Sequence, residues 1–94
     1  MVRFEWDEIK AATNRRKHDV SFVTAQQVFL DPLARITPDR IVLGEERWKI
    51  TGWVQGAMLV VVFTAIEVEG EEIVRIISAR RPDRQERRDF EGGA

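Results

Sequence analysis

The chain contains no cysteine. Disulfides and thiolate metal sites are therefore excluded, and a reducing cytoplasm suits it. It has a single histidine, His18, with no carboxylate pair at helical i, i+4 spacing beside it, so no metal-ligand motif is present and no cofactor is expected. There is no glycine-rich phosphate loop. No nucleophile elbow accompanies the lone histidine, which argues against a serine triad. Long hydrophobic runs are missing too. The longest, Ala57–Phe63, falls far short of the ~20 residues that span a bilayer, and the N-terminus has no apolar signal core. A membrane protein is not expected. Charge of one sign is also lacking: the net charge is −1, so any contact with nucleic acid must come from a local patch.

What is present describes a globular protein. The 94 residues suit one domain, 1–94, and 44% apolar with 33% charged residues can build one modest core. The stretch Ile73–Phe90 organises the rest. It begins as a strand, with Ile73, Val74, Ile76 and Ile77 around a single charge, Arg75. Pro82 stops the strand, and Asp83 with Glu86 forms a D-x-x-E capping box that opens a short helix. Six arginines fall here: Arg75, Arg80, Arg81, Arg84, Arg87 and Arg88. A strand delivering guanidiniums to its carboxyl end suits a phosphate or carboxylate. The plainer alternative is a solvated helix face, with Asp83, Glu86, Asp89 and Glu91 pairing those arginines.

Upstream, Phe4 and Trp6 flank Glu5 in a brief extended segment. Asp7 caps a first helix running to about Lys17, with Ile9 and Ala12 able to face the core. Its last turn, Asn14 to His18, is basic, which the helix dipole alone would favour. Ser21 caps a second helix, about 22–30, with Phe22, Ala25, Val28 and Phe29 as its core stripe. Leu33–Thr37 reads as a short edge strand and 38–44 as a polar connection. Glu45–Val54 is a clear strand: Trp48, Ile50 and Val54 point one way, and Arg47, Lys49, Thr51 and Trp53 the other. Gln55-Gly56 turns into 57–66, apolar enough for a central strand, with Val60, Val62 and Phe63 expected to be buried. Gly70 bends the chain into the next strand, where Ile76 should be buried as well. The expected fold is α+β: a helical hairpin, then a mainly antiparallel four-stranded sheet, then a C-terminal helix.

The chemistry on offer is cationic. Arg47, Lys49 and Trp53 share a strand face to which neighbours could add Thr64 and Arg75, a combination able to hold a nucleic-acid backbone and stack a base. An ordinary solvated sheet face is the alternative for Arg47 and Lys49. Arg75, in an apolar strand, needs a partner if buried, and Glu45 or Glu46 could supply it.

FEWD at Phe4–Asp7, RKHDVSF at Arg16–Phe22, VFLDPLA at Val28–Ala34, GEERW at Gly44–Trp48 and RIISARRPDRQERRDF at Arg75–Phe90 together resemble the BrnT family in order and spacing. BrnT proteins are type II toxin–antitoxin toxins with a RelE-like ribonuclease fold. The resemblance implies a cytoplasmic ribonuclease that halts translation and arrests growth. It also implies neutralisation by a BrnA-like antitoxin with a ribbon-helix-helix DNA-binding part. Operator DNA would then be bound only through the antitoxin, in a complex of two toxins with two antitoxins. Two positions depart from the family pattern. Asp19 stands where glycine is usual, and aspartate can adopt the left-handed conformation at small cost. Phe90 stands where tyrosine is common, so no hydroxyl is available there.

RelE-like toxins use the RNA's own 2′-hydroxyl as nucleophile and no metal. Such chemistry needs a base, an acid, and cations for the phosphorane. The resemblance makes Lys17, His18, Glu45, Arg47, Thr64, Arg75 and Arg80 the catalytic candidates, with Glu46 as an alternative base. Lys49, Arg81 and Arg84 are candidates for RNA binding. Arg47, Arg75 and Arg80 would stabilise charge, with Arg80 anchored at its strand end and free to meet a phosphate. His18, at a helix C-terminus, suits an acid, which leaves Glu45 or Glu46 as base. Two readings compete with the nuclease: a non-catalytic module using the same basic face to hold RNA or the antitoxin, and a purely structural interaction protein.

Overall fold

A computed structural model describes residues 1–92 of the chain. The elements run β1 (Val2–Glu5), α1 (Glu8–His18), α2 (Phe22–Ala25), a 3₁₀ segment (Gln26–Leu30), β2 (Arg35–Val42), β3 (Glu45–Val54), β4 (Ala57–Val68), β5 (Glu71–Arg80) and α3 (Arg84–Glu91). The class is α+β as expected, but the sheet has five strands and is mixed, in the order β1-β5-β4-β3-β2. The chain does not begin with the helical hairpin. The extended segment before it is a strand, β1, paired in parallel with β5, Val2 opposite Glu72 through Glu5 opposite Arg75. A parallel partner about 70 residues away leaves no local mark on either strand, which is why the pattern alone yields four strands.

The β2–β3–β4–β5 meander turns at Leu43-Gly44, Gln55-Gly56 and Glu69-Gly70, each pair with both φ angles positive. Two left-handed residues in a row match the right-handed twist of the flanking strands, and glycine takes the second place without strain. β2 is longer than expected and continues through Pro38 by a bulge, with Pro38 opposite Trp48 and Ile41 opposite Glu46. The supposed connection is thus mostly strand. Proline is tolerated because β2 is an edge.

α1 is capped as expected. Asp7 accepts from Ile9 N and Lys10 N, which holds its carboxyl below the usual range. The helix ends at Asp19, in the left-handed region with φ 57°. Its inward residues differ from those expected. Ile9 and Ala12 are exposed, while Asn14 is buried and Ala11 packs against the core. The second helical stretch is α only to Ala25 and then tightens to 3₁₀. Its core stripe stands: Phe22, Ala25 and Val28 are buried, and Phe29 packs beside Phe4 and Phe63. This segment presses onto β3 at Gly52, where a Cβ would lie 2.8 Å from Asp31 Oδ2 and 3.0 Å from the Val28 side chain. Asp31 fixes the approach by accepting from Trp53 N at 2.8 Å.

The main core lies between these helices and one face of the sheet, on Ile50, Val54, Leu59, Val61, Phe63, Val74, Ile76 and Ala79. Val60 is buried on the other face. Val62, on that face too, is only half-buried, against the expectation that it would be buried.

Candidate functional site

The face away from the main core is where the charged side chains gather, and strand register explains how. Residues directly opposite in a sheet share a face. One row runs Arg35, Thr51, Val60, Arg80; the next runs Thr37, Lys49, Val62, Ser78. A third links Thr64 to Arg75 and Arg75 to Glu5. Arg47 joins this third row, since it precedes Trp48, which pairs with Phe63, the residue before Thr64.

Arg75 and Arg80 are five positions apart and would point to opposite faces of a regular strand. They share one because β5 carries a bulge: Val62 is opposite Ser78 while Phe63 is opposite Ile76, leaving Ile77 as an extra residue. That shift in alternation brings Arg80 to the side that holds Lys49, Thr64 and Arg75.

α3 lies over the first two rows. Its capping box is as expected: Asp83 accepts from Glu86 N at 2.8 Å, and Glu86 Oε1 accepts from Asp83 N at 2.9 Å. Glu86 does more than cap. Arg80 donates through Nη1 to Oε1 at 2.7 Å and through Nη2 to Oε2 at 2.9 Å, and Lys49 Nζ reaches Oε2 at 3.2 Å. Arg80 above all, then the Asp83 amide and Lys49, hold the Glu86 carboxyl down at about 2, and Arg80 is raised in turn. Arg80 is therefore anchored where the sequence places it, but its fork is filled by Glu86 rather than open to a phosphate.

Around this centre, Arg35 donates to the Asp89 carbonyl at 3.3 Å and stacks 5.4 Å from the Phe90 ring centre. Arg87 lies 5.7 Å over the Trp53 ring, which stays exposed beside it. Beneath α3 a cavity of about 130 Å³ is lined by Arg35, Thr37, Lys49, Thr51, Glu86, Asp89 and Phe90.

The remaining candidates divide. Thr64 is buried, and Arg75 crosses to Glu5 at 2.8 Å, not to Glu45 or Glu46. β1, unforeseen as a strand, delivers that carboxylate. Arg47 is half-buried, and its Nε has no hydrogen-bond partner among the described residues. Glu45 sits exposed at the start of β3, two residues from Arg47 and on its face; Glu46 is on the other. Arg81 and Arg84 are exposed at either side of the α3 cap. Lys17 and His18 end α1, in the layer that packs on Ala79 and Ile76, and so stand across the sheet from Lys49 and Arg80. Among the described residues, no group of three or more His, Asp or Glu could hold a metal ion, and no helix is long and apolar enough to cross a membrane.

Glu86 is among the acids expected to pair these arginines, and it pairs Arg80. Glu5, the partner of Arg75, carries no signal in the sequence.

Compared with known families, residues 6–86 match the family described as ribonuclease toxin, BrnT, of type II toxin-antitoxin system. No curated protein matches the chain.

Proposed function

The chain belongs to the BrnT family of type II toxin–antitoxin ribonuclease toxins, and from that premise we propose that it is an endoribonuclease that cuts RNA on the cationic sheet face, without a metal, and thereby inhibits translation. The carrying observation is the register that gathers Arg47, Lys49, Thr64, Arg75 and Arg80 on one face. Attack of a 2′-hydroxyl on the adjacent 3′-phosphate passes its proton to a base and breaks the P–O5′ bond. It leaves a 5′-hydroxyl once that oxygen takes a proton from solvent. Charge builds on the phosphorane oxygens, and guanidiniums aimed there supply the stabilisation. Arg80 and Arg75 take that role, with Lys49 and Arg47 along the backbone track. Glu86 is a poor base, because a carboxyl held at about 2 gives up little driving force for proton abstraction. Glu45, exposed on the Arg47 side, fits that role better. Lys17 and His18, across the sheet, meet RNA only where the strand wraps past the ends of β5 and α1.

A protein antitoxin belongs to this class of system. We take it to be BrnA-like with a ribbon-helix-helix part, joined in a 2:2 complex that binds operator DNA through the antitoxin, in the cytoplasm. A second reading, a non-catalytic RNA- or antitoxin-binding module, draws on one observation, the filling of the Arg80 fork by Glu86.

Incubating the purified chain with RNA in EDTA tests the proposal. Cleavage should persist and leave 2′,3′-cyclic phosphate ends. Loss on chelation with recovery in Mg²⁺ would overturn the 2′-hydroxyl mechanism, and no cleavage in either condition would favour the binding module.

A further inference from the structure

α3 has no buried residue. At eight residues it is too short to persist alone in water, so its place on the sheet depends on what ties it there. Those ties are Glu86 to Arg80 and Lys49, the Asp89 carbonyl and the Phe90 ring to Arg35, and Arg87 on Trp53. Nearly all are polar or cationic, and the largest set converges on one carboxylate. The capping box accounts for only one of the four bonds that the Glu86 oxygens accept, the one from Asp83 N. The other three come from the two cations of the sheet face. A carboxylate and a phosphate each offer a pair of acceptor oxygens to a guanidinium fork.

We infer that α3 is a built-in cover and that Glu86 occupies, in cis, the position of an RNA backbone phosphate on Arg80 and Lys49. This rests on the reading of the cationic face as an RNA site and adds how that site is closed. The open cleft beneath the docked helix, about 130 Å³, reaches Lys49 and Glu86, and a phosphate meets the Arg80 fork only where Glu86 has left it. RNA therefore enters as Glu86 leaves, and its apparent affinity is lowered by the fraction of molecules with α3 docked. The hinge is the Arg81-Pro82 link, which belongs to neither β5 nor α3.

The test uses a fluorescent 2′-O-methyl RNA oligonucleotide, which binds without being cut. Its affinity is measured for the wild type, for Glu86→Gln and for Glu91→Gln. The last removes the same charge from α3, but at an exposed residue paired with Arg87. Hydrogen exchange of the α3 amides is followed with and without the oligonucleotide. Glu86→Gln should bind about tenfold tighter or more, and Glu91→Gln should stay near wild type, because only the first frees the competent state. In the wild type, the oligonucleotide should accelerate α3 exchange while the sheet stays protected. Equal affinities with α3 still protected would overturn the cover and leave the RNA reading intact. No binding by any variant would remove the RNA reading and the cover with it. If Glu86→Gln does not fold, the wild-type exchange measurement decides alone.

Discussion

At Asn14 a single amide closes the seam between α1 and β5. Nδ2 donates to the carbonyls of Val20 and Ala79 at 3.1 and 2.8 Å, and Oδ1 accepts from Ala79 N at 3.1 Å. Asn14→Ala would leave the buried Ala79 N–H without a partner, at a cost of about 1–3 kcal/mol. For a domain of this size that is a fall in Tm of roughly 5–20 °C, read by thermal unfolding. An unchanged Tm would mean that water or a backbone shift satisfies the strand. Reading the sequence places Asn14 in a basic helix end and gives it no task, because its partners are backbone groups, which carry no residue signature. The same blindness hides Glu5 as the partner of Arg75. Arg47, Lys49, Thr64 and Arg75, by contrast, are legible as one mixed, mainly cationic face because residue type and strand alternation are both local, whereas Arg80 reaches that face only through the bulge.

Among the elements, β3, β4 and α3 are close to their sequence reading, since alternation, an apolar run and a capping box are each written within ten residues or so. β1 and the bulges are not, because register depends on what lies across the sheet. The bulge at Ile77 decides most for the site, as it turns Arg80 onto the Arg75 face. α3 is the element whose docking should depend on acidity. Glu86 is drawn down from the ordinary 4.5 to about 2 by Arg80 and, less, by Lys49, and Asp83 and Asp39 also act on Arg80. A carboxyl whose folded-state value is depressed stabilises its contacts fully above its unfolded value. That stabilisation is lost as pH falls through the folded value. The docking of α3 should hold down to about pH 4.5 and be lost between there and about 2. Amide exchange or NMR shifts of Arg87–Glu91 against pH should show this while β4 stays protected. Release of α3 near neutral pH would contradict the assignment of Glu86 as its main tie.

In the whole molecule, the two faces of one sheet divide the work. Helices α1 and α2 with the 3₁₀ segment bury the apolar face and hold the register. The other face keeps its cations under a helix that has no buried residue of its own. This division explains why the fold class is readable in the sequence, while the arginines alone leave two readings open, a phosphate on the guanidiniums or a pairing acid, of which the structure has Glu86 on Arg80. The most direct measurement compares Arg80→Ala with Arg88→Ala, each purified with antitoxin, released by denaturation, refolded and assayed on one RNA. Arg88 is exposed on α3 and Arg80 is in the clamp. Arg80→Ala should slow cleavage by ~10²-fold or more, the loss expected for one charge-stabilising donor, while Arg88→Ala should remain near wild type. If Arg88→Ala is the crippled enzyme and Arg80→Ala cleaves normally, the reaction takes place on the outer surface of α3, and the sheet face is not the site.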